Sequence, residues 1–209
     1  MTIALSLVVA YLLGSIPFAY LISRMRGVDI REVGDHNVGS FNVFRHAGLG
    51  AGLATMFLDI GKGALAIVVA KSLHGNELML FLAGAASVAG HNWPVFLRFK
   101  GGRGVGTIIG VMFALVPWQM AITFVLALIV TLTTKNSIWA GMALFIPLPF
   151  ICMLSYFLLD GPPLSVVAYT VLLPCLSGFT HWLTTRHLSS EAKKESETFW
   201  IADAKSRQG

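Results

Sequence analysis

Apolar residues in this chain fall in long unbroken runs rather than in alternation. Residues 2–23, 78–97, 104–134, 136–159 and 161–185 contain no Asp, Glu, Lys or Arg. A further apolar segment near 47–70 is interrupted only by Asp59 and Lys62. A transmembrane helix needs about 20 apolar residues, whereas a membrane β-barrel shows short alternating segments. The pattern therefore predicts an all-α polytopic membrane protein.

Composition agrees. Of 209 residues, 56% are hydrophobic and 12% charged, with a mean hydropathy of +0.74; soluble domains average about 25% charged. The first run begins directly after Met1, without a basic leader or small-residue cleavage pattern, and reads as a retained helix rather than a signal peptide. Cys152 and Cys175 lie inside apolar runs and read as small buried hydrophobes, with no disulfide or metal site implied.

The run 104–134 is long enough for one tilted helix or for two short ones turned at Pro117-Trp118-Gln119. Lysine and arginine placement decides, because cytoplasmic loops carry their excess. A single span leaves seven cations inside (Arg24, Arg26, Arg31, Arg45, Arg98, Lys100, Arg103) and seven outside (Lys71, Lys135, Arg186, Lys193, Lys194, Lys205, Arg207). A hairpin puts all but Lys71 inside, with Lys62 in the membrane. The hairpin is therefore preferred. It gives seven transmembrane helices, N-out and C-in, two of them short. Each short arm has about 13–15 residues, or roughly 20 Å at the helical rise. Backbone ends left within the bilayer require cover by protein or a water-filled cavity. A polar cavity open to the cytoplasm is expected where the first arm begins. Residues 1–187 form one membrane domain and 188–209 a polar cytoplasmic tail.

That first arm begins in "FKGGRGVGT", residues 99–107. Its glycines bare backbone N–H groups beside Lys100 and Arg103, a combination suited to an anion. A second loop on the same face, "VDIREVGDHNVGSFNVFRHAG" (28–48), has turn chemistry at Gly34, Asn37 and Gly39. A helix is predicted to start there, capped by Ser40 or Asn42, with Arg45 in its first turn. Helix N-termini favour anions, and two such segments suit a phosphate held between them. Basic loops touching anionic headgroups are the plainer alternative, but they leave the glycine clustering unexplained. "GGRGVGT" lacks the G-K-[ST] ending of a nucleotide P-loop. The net charge of +5 is not read as a nucleic-acid signal, since the cations follow the membrane topology. Asp59 and Lys62, at i and i+3 within a span, are either a structural pair or a pair bordering the site. His91-Asn92 before Pro94 either caps its helix or faces the cavity. Ser137 begins the sixth helix and is a candidate hydroxyl donor. Gly14-Ser15-Ile16-Pro17 reads as a kink or close-packing site.

Taken in order, these segments resemble the PlsY family, the bacterial integral-membrane acyl-phosphate:glycerol-3-phosphate acyltransferases. "GSIPFAYLIS", "VDIREVGDHNVGSFNVFR", "LDIGKG" and "GHNWPVFLRFKGGRGVGT" each match a family motif, and the last is long and specific. The resemblance implies seven helices, N-out and C-in, in a bacterial inner membrane with the site facing the cytoplasm. It implies acyl transfer from acyl phosphate to glycerol 3-phosphate, giving lysophosphatidic acid and phosphate for phospholipid synthesis, with no cofactor or metal. The expected partners are the two substrates and the bilayer, not nucleic acid, and a monomer is expected. Asn42, Arg45, Arg103 and Ser137 would line the phosphate pocket, with Gly34, Asn37 and Gly39 shaping it and Lys100, Gly102 and His187 beside it.

The chain departs from the family at Asp35-His36, where Ser-Gly is usual, at Phe41 and Phe44, and at Arg103, where Lys is usual. Only Arg186-His187 of the C-terminal motif is recognisable. Asp35 and His36 join Arg45 and Arg103 as candidate catalytic residues: either Asp35-His36 supplies a general base or it marks a changed substrate. Asp35 near a phosphate costs about 4 kcal/mol at 4 Å and an effective dielectric of 20. It must therefore turn away, pair with Arg31 or His36, or be protonated. The alternatives are a related acyltransferase with a changed acceptor or donor, and an inactive binding homologue. A transporter would show matched broken helices in two halves, and none is evident.

Overall fold

The computed structural model describes residues 3–73 and 76–186; the expectations for His187 and the tail 188–209 lie outside them. All regular structure described is helical: α1 (Ile3–Ser15), α2 (Phe18–Met25), α3 (Ser40–Ala47), α4 (Leu49–Leu73), α5 (Glu77–Asn92), α6 (Val105–Leu115), α7 (Pro117–Thr134), α8 (Ser137–Phe145), α9 (Pro147–Leu158) and α10 (Leu164–Thr185), with a 3-10 turn at Val95–Leu97. Six segments are long and apolar enough to cross a membrane, α1–α2 and α8–α9 each counting as one. Large exposed apolar side chains such as Phe57, Trp118, Phe150 and Phe157 are what a lipid-facing surface requires. This is an integral, multi-pass membrane protein.

Prolines set the breaks. Pro17 lacks an N–H and restricts Ile16, so α1 ends at Ser15 and α2 resumes at Phe18. Pro117 forces Val116 out of the helical region (φ −137°) and then heads α7 at its first turn. The run 104–134 is thus two helices, as the charge count required, but the division is unequal. α6 has 11 residues and α7 has 18, so only α6 is short, where two short arms were expected. The break falls at Val116 rather than across Pro117-Trp118-Gln119, because proline restricts the residue before it while its own fixed φ suits a first turn.

Backbone-to-backbone approaches hold the centre together. A Cβ on Gly14 would overlap the Ser87 carbonyl, and one on Gly90 the Tyr11 carbonyl, where α1 crosses α5. Gly63 and Gly110 do the same for α4 against α6, meeting the carbonyls of Thr107 and Ile60. Small residues at crossings permit this in a membrane, where packing replaces the hydrophobic drive. Gly14 is therefore a close-packing site beside a helix break, and both readings of Gly14-Pro17 hold. The main core gathers Val111, Met112, Met120, Leu144, Leu148 and Leu173. A separate cluster of Ala19, Ile30, Val38, Val43 and Leu97 lies beneath the segment 26–39 and anchors it.

Candidate active site

Two loops and the end of α10 meet at one end of the bundle. The first loop, 26–39, is stitched by Asn42. This side chain is fully buried, and its amide nitrogen lies 3.0–3.1 Å from the carbonyls of Ile30, Val33 and Asn37. Asn42 was expected to cap α3 or line the pocket. α3 starts after Gly39 without a side-chain cap from Ser40 or Asn42, and Asn42 ties the loop through these carbonyls. Gly34 has φ +61°, and a Cβ there would overlap Asn42 Oδ1 and the His46 ring. His36 also has positive φ (+56°), its Nδ1 lying 3.0 Å from the Arg31 carbonyl oxygen.

At the rim of this loop Asp29 accepts from Arg31 Nε (2.9 Å) and Nη2 (2.7 Å) and from Arg24 Nη2 (2.9 Å). The hydrogen bonds from Arg31 hold the Asp29 carboxyl down at about 2. Arg31 in turn lies over the Tyr20 ring, 4.6 Å from its centroid.

The second loop, 98–104, packs against the end of α5. Gly101 N–H donates to the Asn92 carbonyl (3.2 Å) and Gly102 N–H to the His91 carbonyl (3.1 Å). These donors were expected to be bare and are spent on α5. The glycines serve proximity: a Cβ on Gly102 would overlap the His91 ring and crowd the Val38 carbonyl. Lys100 is exposed. Behind this loop Asp59 and Lys62 form a buried ion pair of 2.7 Å, and Lys62 Nζ donates to the Ile16 carbonyl at 2.9 Å. That carbonyl lies at the helix break before Pro17, where it also accepts from the Phe18 N–H at 3.1 Å. The pair is structural, and with His91, Gly101 and Pro17 it also lines a small crevice.

The two loops join through charge. Arg103 Nη2 donates to Asp35 Oδ2 at 2.8 Å, while Arg45 Nη2 lies 3.5 Å from Asp35 Oδ1. Side-chain exposure is 1% for Asp35, 4% for Arg45 and 12% for Arg103, so the cluster is sealed. Burial pushes the Arg103 guanidinium below its ordinary value, and Asp35 opposes that shift. Asp35 thus pairs with the candidate phosphate-binding arginines themselves; pairing with Arg31 or His36 was one of three expected alternatives, and the structure shows neither partner. His36 is exposed and directed at the Arg31 backbone.

From α10, Ser177 Oγ donates to the Arg103 carbonyl (2.6 Å), with Thr180 Oγ1 at 3.5 Å from the same oxygen. Asn92 Nδ2 donates to Thr180 Oγ1 at 3.4 Å. Ser177 and Thr180 escaped sequence reasoning; their signal was two hydroxyls at i and i+3 within an uncharged run. Ser137 heads α8, which packs with α7, α9 and α10.

Residues 4–191 match the family model described as glycerol-3-phosphate acyltransferase. The chain is 41% identical over 183 residues to glycerol-3-phosphate acyltransferase 4 of Dehalococcoides mccartyi, covering 87% of this chain and 96% of that one. It is 41% identical over 180 residues to the glycerol-3-phosphate acyltransferase of Thermus thermophilus, covering 84% and 86%. Two crystal structures of PlsY, an integral membrane glycerol 3-phosphate acyltransferase, are similar in fold. The glycerol 3-phosphate form matches at 34% identity and a TM-score of 0.78, covering 89% of this chain and 91% of that one. The lysophosphatidic acid form matches at 32% and 0.75, covering 93% and 98%.

Proposed function

This chain belongs to the glycerol-3-phosphate acyltransferase family, and from that premise we propose that Arg45 and Arg103 seat the substrate phosphate. The protein is an acyltransferase that forms lysophosphatidic acid from glycerol 3-phosphate. The observation supporting the phosphate seat is convergence: guanidinium groups from α3 and from the loop 98–104 reach one carboxylate's width from each other. Among the described residues no other two arginines meet in so enclosed a place; Arg24 and Arg31, which share Asp29, are exposed.

The acyl donor is acyl phosphate. Its carbonyl is already activated, so the acceptor's hydroxyl oxygen attacks it directly, the acyl carbon–phosphate oxygen bond breaks, and the hydroxyl proton passes to a phosphate oxygen. The protein's task is to orient both substrates and to stabilise charge on the tetrahedral oxyanion and the leaving phosphate. The arginine guanidiniums suit both. Gly34, Asn37, Gly39, Asn42 and Gly102 shape the two loops around them; Lys100 and His36 lie at the exposed rim, and Ser137 and His187 are further phosphate contacts.

Counting α6, seven helices run N-out and C-in, with the site at the cytoplasmic face of a bacterial inner membrane and the protein acting as a monomer. The cation distribution supports this orientation. Purified protein given palmitoyl phosphate should release phosphate and form lysophosphatidic acid only when glycerol 3-phosphate is present. Equal turnover with palmitoyl-CoA would count against acyl phosphate as donor.

A further inference from the structure

We infer that Asp35 is an internal counter-anion, standing where the substrate's phosphate binds and leaving Arg45 and Arg103 when phosphate arrives. This deepens the proposed function and rests on its assignment of the two arginines to phosphate. Asp35 is thereby a specificity-determining residue that sets how tightly a phosphate monoester is held.

Asp35 Oδ2 takes the Arg103 Nη2 donor at 2.8 Å, and Oδ1 lies within 3.5 Å of Arg45 Nη2 and 3.4 Å of the Asn37 N–H. With the carboxylate 1% exposed and both guanidiniums nearly covered, a phosphate cannot reach the arginines while Asp35 stays. Nor can the two anions share the place, since like charges at contact distance in a poorly solvated site repel strongly. One must displace the other.

The carboxylate is an incomplete occupant. Arg103 Nε is buried without a hydrogen-bond partner among the described residues. A carboxylate offers two oxygens, whereas a phosphate monoester offers three terminal oxygens in a tetrahedron and can meet this donor as well as the two Nη2 atoms. The backbone allows the exchange. Asp35 sits between Gly34 (φ +61°) and His36 (φ +56°), and His36 is exposed, so solvent lies one residue away from the buried carboxylate. When product phosphate must depart, the same carboxylate returns to the arginines. The motif this loop resembles carries serine here, which has no charge with which to compete.

The test compares the natural protein with Asp35→Ser and Asp35→Asn. It reads the KM for glycerol 3-phosphate, the inhibition constant of inorganic phosphate and the rise in Tm on adding inorganic phosphate. KM and the inhibition constant should each fall about tenfold, the scale of one charge-assisted hydrogen-bond competitor, and the phosphate-induced rise in Tm should grow. Unchanged KM and inhibition constant would overturn the inference while leaving the arginine assignment intact. Loss of kcat at unchanged KM would also overturn it, since that is the signature of a proton-transfer role. If turnover persists but no protein's Tm responds to phosphate or glycerol 3-phosphate, the arginine assignment itself fails, and the inference with it. A measurement on the natural protein alone guards against variants that do not fold: backbone amides of residues 34–37 should exchange hydrogen faster at saturating glycerol 3-phosphate. Unaltered exchange there would equally overturn the displacement.

Discussion

Ser177 Oγ donates to the Arg103 carbonyl across 2.6 Å, so α10 holds from behind the arginine that reaches Asp35. The guanidinium's position thus depends on a helix far along the chain. Ser177→Ala should cost about 1 kcal/mol of stability, the usual worth of one hydrogen bond, and raise the KM for glycerol 3-phosphate. Thermal unfolding in detergent and steady-state kinetics check both.

Removing a guanidinium should be far more costly for turnover. Arg103→Ala and Arg45→Ala should each lower kcat/KM by about a hundredfold or more, the scale seen when one preorganised donor to a developing negative charge is lost. Arg103→Lys keeps the charge but loses the planar fork and should fall between. Rates with palmitoyl phosphate decide it.

The α4–α6 crossing should be intolerant of side chains. Gly63→Ala and Gly110→Ala place a Cβ into the carbonyls of Thr107 and Ile60, which should destabilise by about 1–3 kcal/mol through overpacking. Gly61, on the same helix with open space around it, is the control; Gly61→Ala should leave Tm unchanged or slightly raised.

The buried Asp59–Lys62 pair predicts strong non-additivity. Either Asp59→Asn or Lys62→Met leaves its partner buried and uncompensated, at a cost of about 3–5 kcal/mol. The double variant should recover much of that loss. A double-mutant cycle on thermal stability measures the coupling.

Asp29 predicts a limb of acid sensitivity. Its carboxyl is held at about 2, against an ordinary value of 3.8, first by the hydrogen bonds from Arg31. The folded value is depressed, so the pair's contribution is fully present above about 3.8 and is lost as pH falls through 2. Exposed arginine partners keep it small. Asp29→Asn should flatten the Tm-versus-pH curve between those values.

The membrane class, the division of the run 104–134 into two helices at Pro117 and the grouping of cations in two segments were all legible in the sequence, whereas the unequal lengths of those two helices were not. Each legible feature rests on local physics: run length, a missing N–H, charge kept out of lipid. The glycine-rich loops were also legible as places of close approach, but not what approaches them. Gly101 and Gly102 direct their N–H groups to α5 rather than to a ligand, and Asn42 ties three carbonyls of its own loop. The first outcome depends on where α5 ends relative to the loop, which no local pattern encodes. Asp35 illustrates the division most clearly. Its charge made some partner obligatory for a buried carboxylate, and that much followed from its identity. Only the folded chain decides that the partners are Arg45 and Arg103. Their meeting is set by how closely glycines let α1 approach α5 and α4 approach α6, a property of facing surfaces rather than of any one segment.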